Sequence, residues 1–196
     1  MPDLHIVTYP HPALLRPARP LVRIDEELRG IVRQMFALMY EAKGVGLAAN
    51  QVNLPYRLFV MNLSADPATP EEEHVFINPV LSRPKGSEEA EEGCLSLPGL
   101  YAPVRRPAQI SINAYNLEGE EVSARLEGLA ARVVQHETDH LDGILFIDRL
   151  SPTVRMALQE PIKEFEIIYH SKQSRREIPD NEAIIRQLEV LEQLRT

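Results

Sequence analysis

Apolar residues recur along the chain with two different periods. Leu28, Ile31, Val32, Met35, Phe36 and Met39 stand three and four apart, the spacing of one helix face. The pattern predicts a helix over 25–42, with Asp25 as its N-cap and Gly44 as its stop. Before it, Pro10, Pro12, Pro17 and Pro20 crowd the first twenty residues and predict an extended, irregular segment. After it, short β-like runs predict strands over 57–62, 75–81, 108–116 and 120–126, the last two joined as a hairpin at Leu117-Glu118-Gly119. The polar stretches 66–73 and 82–92 predict surface loops. Helical spacing returns over 128–141, where Leu129, Val133 and Val134 lead to His136 and His140. Strand signals end near Ser151. Two helical segments are expected there, separated by Ile178-Pro179-Asp180, the second carrying Ile184, Ile185, Leu188, Leu191 and Leu194. The pattern is α+β with a C-terminal helical extension.

Composition narrows the class. The 196 residues are 44% hydrophobic and 26% charged, the balance of a globular protein. Lys and Arg number 21 against 29 Asp and Glu, a formal charge of −8, which argues against a general grip on phosphate backbones or anionic membranes. No apolar run approaches the roughly 20 residues of a membrane span. The opening Met1-Pro2-Asp3-Leu4-His5 lacks a basic region leading into an apolar one, so no secretory signal is expected. Cys94, the one cysteine, has no partner for an internal disulfide. These features predict a cytoplasmic protein.

The strongest chemical signal is His136-Glu137-Thr138-Asp139-His140. On a helix, residues i and i+4 share a face, so both imidazoles reach one metal ion with Glu137 beside it. The third ligand is open. An extended metalloprotease motif, H-E-x-x-H-x-x-G-x-x-H, matches as far as Gly143, but Phe146 stands where the last histidine belongs. A metallopeptidase of another group would draw a glutamate from downstream, where Glu160, Glu164 and Glu166 lie. Cys94, in Glu92-Gly93-Cys94-Leu95-Ser96, is the other candidate, because a thiolate beside two imidazoles leaves a fourth tetrahedral position free. The ordinary use of a lone cysteine is as a small buried apolar residue. Residues 44–51, Gly44-Val45-Gly46-Leu47-Ala48-Ala49-Asn50-Gln51, expose bare backbone to a ligand and offer the Gln51 amide. They lack the Gly-Lys-Ser/Thr ending of a phosphate loop.

Together the three segments resemble one family, the peptide deformylases, whose motifs read G-x-G-L-A-A-x-Q, E-G-C-L-S and Q-H-E-x-D-H. They stand here in that order at 44–51, 92–96 and 135–140, and the resemblance covers about residues 1–150. It implies a catalytic domain over 1–150, with small antiparallel sheets packed around a central metal-binding helix, and a helical extension over 151–196. It implies Cys94, His136 and His140 as metal ligands and Glu137 as general base and then acid. The formyl oxygen would be held by Gln51 and the backbone N–H of Leu95. Val45, Gly46 and Gly93 would offer backbone to an extended peptide, and Leu129 and Val133 a pocket for methionine. Glu92 would pair with Arg106.

The implied reaction is hydrolysis of the N-formyl group from formyl-methionine at the start of a new polypeptide, releasing formate. The implied cofactor is one divalent ion, Fe2+ in cells, with Zn2+, Ni2+ or Co2+ acceptable in purified protein. A binding module without turnover would be expected to lack Glu137, Gln51 or the ligands, and all are present. Two departures stand out. Bacterial relatives are thought to dock at the ribosome through a basic C-terminal helix, whereas residues 151–196 hold seven Lys/Arg against eight Asp/Glu. The ribosome is therefore expected only as a transient contact, and the apolar stripe 184–194 is expected to pack on protein, including a second copy in a homodimer. Some relatives also carry an Arg where this chain has Gly99-Leu100-Tyr101-Ala102, so a contact to substrate backbone is expected to be lost there or replaced by Tyr101.

Overall fold

Helix α1 spans Glu26–Glu41. Asp25 begins it as expected, its Oδ1 accepting from Leu28 N–H at 2.9 Å, which satisfies one of the free donors of the first turn. The stop differs by one residue: Lys43 takes the left-handed conformation at φ 56°. Lys43 N–H then bonds to Tyr40 O and Gly44 N–H to Met39 O, the paired closure that ends many helices. A Cβ on Gly44 would lie 2.8 Å from the Leu95 side chain. The structure, a computed structural model, describes residues 4–196, so Met1, Pro2 and Asp3 of the segment read for a targeting signal lie outside the described residues.

The strands follow as β1 (Gly46–Ala48), β2 (Leu58–Met61), β3 (His74–Lys85), β4 (Glu88–Cys94), β5 (Leu97–Arg106), β6 (Gln109–Tyr115) and β7 (Glu121–Glu127). In the order β1-β2-β3-β6-β7 they form one antiparallel sheet, and β4 and β5 form a separate two-stranded ribbon. Leu58 and Val60 join the core beneath α1, while Phe59 and Met61 join a second core. Strand β2 is thus buried on both faces, which is why it reads as a continuous apolar run.

The loop expected over 82–92 is a correction: β3 continues to Lys85 and β4 begins at Glu88. The acidic run is a poor strand former by propensity. Across the ribbon, however, Glu88 faces Arg106 and Glu89 faces Arg105, so opposite charges stabilise the pairing. Strand β5 was also absent from the pattern, since Pro98 and Pro103 interrupt it. Its alternation is nevertheless clear once paired, with Leu100, Ala102, Val104 and Arg106 buried.

Helix α2 (Gly128–Leu141) leaves β7 directly and lies on the sheet, with Ala131, Val134 and Leu141 packed among Phe59, Phe76, Ile110 and Ile112. The C-terminal region holds α3 (Pro152–Ala157), α4 (Gln159–Ser174) and α5 (Asn181–Arg195). The first of the two expected segments is broken at Leu158, because Pro161 has no N–H to give the Ala157 carbonyl. Helix α5 folds back on its own chain. Ile184 and Leu188 bury against Ala13, and Leu191 reaches the core under α1. Arg195 is 2% exposed, its Nη1 lying 2.6 Å from Asp25 Oδ1 and its Nη2 bonded to Glu27. No helix of the described residues is long and apolar enough to cross a membrane.

His11 is buried in this packing. Its Nδ1 accepts from Ala13 N–H at 3.2 Å, and its ring meets Tyr169 of α4 edge to face at 6.3 Å. Burial, with a smaller contribution from the charge of His5, lowers its pKa to about 4. An unfolded histidine titrates near 6.5, so between pH 6.5 and 4 the unfolded chain binds more protons and stability falls as pH falls. We expect the parent to lose about 2–3 kcal/mol more than His11→Asn between pH 7 and pH 4.5, read from urea unfolding. Parallel pH dependences in the two proteins would contradict this assignment.

Candidate metal centre

Helix α2 carries His136 and His140 one turn apart, with ring centroids separated by 4.9 Å. Cys94 arrives from the end of β4, where the ribbon register shifts between Gly93 and Cys94; such an irregularity re-aims a side chain. Cys94 Sγ lies 3.2 Å from His140 Nε2, and ligand atoms of all three residues lie within 4.8 Å of one another. Two ligands about 2.0 and 2.3 Å from one ion at a tetrahedral angle stand roughly 3.5 Å apart, so the set fits a single cation. Among the described residues this is the group of three close enough to share an ion. Glu160 and Glu164 are exposed on α4, and Glu166 accepts from Tyr9 Oη at 2.9 Å.

The donor chemistry fits as well. His136 Nδ1 lies 3.0 Å from Glu92 Oε2. A carboxylate ion only accepts, so Nδ1 carries a proton and Nε2 is the nitrogen a cation would take, displacing any proton there. Burial alone would push the Glu92 carboxyl up, but hydrogen bonds from His136 and Arg106 hold it down at about 2. Burial opposes a charge on His136, yet hydrogen bonds to Cys94 and Glu92 and the charges of Cys94 and Glu137 raise its pKa to about 10. Burial, then the charges of His136 and Arg106, drives His140 well below its ordinary value. One sulfur and two imidazole nitrogens make a donor set that suits a divalent ion.

Glu137 is buried beside the histidines, its Oε2 without a hydrogen-bond partner among the described residues. Desolvation raises its pKa to about 7. Its close neighbour is Gly46, where an added Cβ would lie 2.6 Å from Glu137 Oε1. Gln51 is also buried: Oε1 accepts from Ala48 N–H at 2.9 Å, and Nε2 points to Ser96 Oγ at 3.2 Å and Cys94 Sγ at 3.5 Å.

Val45, Gly46, Gly93, Leu95, Leu129 and Val133 all line one cleft of about 700 Å3, together with Gln51, Cys94, His136 and Glu137. Tyr101 is exposed on its rim, and a Cβ on Gly93 would lie 2.5 Å from the Tyr101 ring. The Glu92–Arg106 pair holds, with Arg106 Nε 2.6 Å from Oε1 and Nη2 2.9 Å from Oε2.

A model of the polypeptide deformylase family matches residues 3–156. The chain belongs to the peptide deformylase family. The peptide deformylase of Rhodopirellula baltica is 46% identical over 184 residues, 94% of this chain and 91% of the relative. That of Neisseria gonorrhoeae is 42% identical over 161 residues, covering 82% and 95%. Among solved structures, the Plasmodium falciparum peptide deformylase superposes with a TM-score of 0.83 at 38% identity, covering 85% of this chain and 98% of that one. A plant peptide deformylase gives 0.84 at 37%, covering 92% and 96%.

Sequence reasoning missed several residues around this deformylase centre. Asn50 Nδ2 bonds to the His140 carbonyl. Asp139 binds Arg106 Nη1 at 2.7 Å and Arg149 Nη2 at 2.5 Å, although it stands inside the histidine motif. Ser96, fully buried, anchors the Gln51 amide. Arg132, one turn before His136, donates from Nη1 to Glu92 Oε1 at 2.7 Å, a contact across forty residues that helix spacing does not reveal. The Gly46 contact yields a test. Gly46→Ala should displace the Glu137 carboxylate and lower kcat for formate release from formyl-Met-Ala about 10²-fold, in a protein that still melts cooperatively. Activity within twofold of the parent would show that the carboxylate has room to spare.

Proposed function

We propose that this chain performs the family reaction through Cys94, His136 and His140 as ligands of one catalytic divalent ion and Glu137 as its general base and acid. The observation carrying this reading is the buried Glu137 carboxylate beside a three-ligand set in one peptide-sized cleft. The activity itself, hydrolytic removal of the N-formyl group from formyl-methionine of new polypeptides, is that of the family. When bound, the ion supplies Lewis acidity, polarising the formyl carbonyl and acidifying water.

The chain's own residues do the rest. Glu137 Oε2 accepts a proton from the attacking water as the water oxygen bonds to the formyl carbon. The same carboxyl then delivers that proton to the departing amine as the C–N bond breaks, leaving formate and a free amino terminus. A base whose proton affinity burial has raised suits both transfers near neutral pH. The oxygen that gains charge is met by Gln51 Nε2, which lies 3.5 Å from Cys94 Sγ, and by Leu95 N–H. Backbone groups of Val45, Gly46 and Gly93 take the peptide as an added strand, and Leu129 and Val133 take the methionine side chain. The single hydrogen on a formyl carbon favours it over internal peptide bonds in so confined a site.

The reading extends to setting and partners. Fe2+ is the proposed ion in cells, with Zn2+, Ni2+ or Co2+ active in purified protein, and the cytoplasm, where new chains emerge, is the proposed place of action. Residues 1–150 form the catalytic unit and 151–196 an extension that supplies none of the proposed site residues. A ribosome contact would be transient, because the near-neutral extension offers phosphate little net positive charge. A homodimer would use Val190 and Leu194, which stay exposed on α5.

Glu137→Ala should retain metal by elemental analysis while kcat falls ~10²–10⁴-fold; turnover within tenfold of the parent removes Glu137 as the base. Cys94→Ser should bind metal more weakly and deformylate poorly. Undiminished metal retention in that variant would return the third-ligand role to a glutamate. In both assays an unformylated peptide should remain uncleaved.

A further inference from the structure

Arg132 is unused by the chemistry above, yet it occupies a joint of the site. It lies one turn before His136 on α2, between Leu129 and Val133 on the face that lines the cleft, and its side chain is 12% exposed. Nη1 donates to Glu92 Oε1 at 2.7 Å and to Val104 O at 3.0 Å, and Nη2 donates to Glu88 O at 3.0 Å. Glu88 belongs to β4 and Val104 to β5, so one guanidinium fastens both strands of the ribbon to α2.

The Glu92 carboxylate is shared among four donors. Oε1 receives Arg106 Nε and Arg132 Nη1, while Oε2 receives Arg106 Nη2 and His136 Nδ1. Arg106 is divided, since its Nη1 serves Asp139. Arg132 is therefore the cation whose side-chain pairing belongs to Glu92 alone. It adds a second cation to Oε1 of the carboxylate whose Oε2 meets the His136 ring.

We propose that Arg132 is a positioning residue of the metal centre: by locking Glu92 and clamping the ribbon on α2, it fixes the His136 ring and the place of Cys94. This rests on the ligand assignment proposed above. The planar fork is what matters, because a lysine ammonium has the charge but not the geometry to reach the carboxylate and two backbone carbonyls at once. Ligands left with a loosened supporting shell lose affinity, typically 10- to 100-fold.

The test uses the full-length chain loaded with Co2+, whose visible absorption reports its ligands. Release into excess EDTA is followed for the parent, Arg132→Met and Arg132→Lys, with thermal melting of the metal-free proteins and kcat and KM on formyl-Met-Ala alongside. We expect Arg132→Met to release Co2+ 10- to 100-fold faster, with an altered spectrum and a loss in kcat greater than any change in KM. Arg132→Lys should fall between the two. Co2+ release from Arg132→Met within twofold of the parent, or a lower melting temperature with unchanged release and spectrum, overturns the proposal and leaves only a structural tie. If Arg132→Met does not fold, Arg132→Lys decides, and release at the parent's rate overturns it. A parent that takes up no Co2+, or that matches His136→Ala, instead defeats the ligand assignment itself.

Discussion

The site depends on one buried carboxylate. Glu92 is 6% exposed and Arg106 4%, and the bidentate pair between them joins β4 to β5 while His136 and Arg132 join the same carboxylate to α2. Buried ion pairs are weak evidence for stability, because desolvation offsets much of the attraction. Their value here is geometric. Cys94 stands more than forty residues before the two histidines in sequence, and no backbone ladder connects the ribbon to the helix. The charged joint supplies that connection, and Asp139, bound by Arg106 and Arg149, extends it along the far side of α2.

A second constraint is the absence of side chains at two points of closest approach. Glu137 packs against Gly46 and the Tyr101 ring against Gly93, each closer than a Cβ permits. The first contact keeps Glu137 dry beside the cleft. The second lets an exposed aromatic ring lie over the backbone of β4 next to Cys94. Desolvation and proximity thus arise from the same packing: walls close enough to exclude water around the carboxylate are also what raise its proton affinity.

The C-terminal helices belong to a different balance. A short helix with the apolar stripe of α5 needs cover, and Ala13 and the core under α1 provide it for Ile184, Leu188 and Leu191. Arg195 then adds a charged lock at the N-terminus of α1, where Asp25 and Glu27 already favour a cation. The extension and the N-terminal segment stabilise each other without touching the proposed ligands.

Periodicity by itself determined α1, α2, the hairpin of β6 and β7, and the stripe on α5, since in each the apolar spacing follows from one face meeting a core. It also determined that His136 and His140 share a helix face, because an i, i+4 relation is local. Local spacing left the third ligand open between Cys94 and the glutamates of α4, and only the fold of the ribbon onto α2 brought Cys94 to the histidines. The same limit hid β4 and β5, whose acidic and proline-bearing runs are poor strands until each is paired with the other. Arg132, Ser96 and Asn50 were silent for that reason too. Their importance lies in what they touch across the chain, and hydrogen bonds between distant residues leave no periodic trace in the sequence.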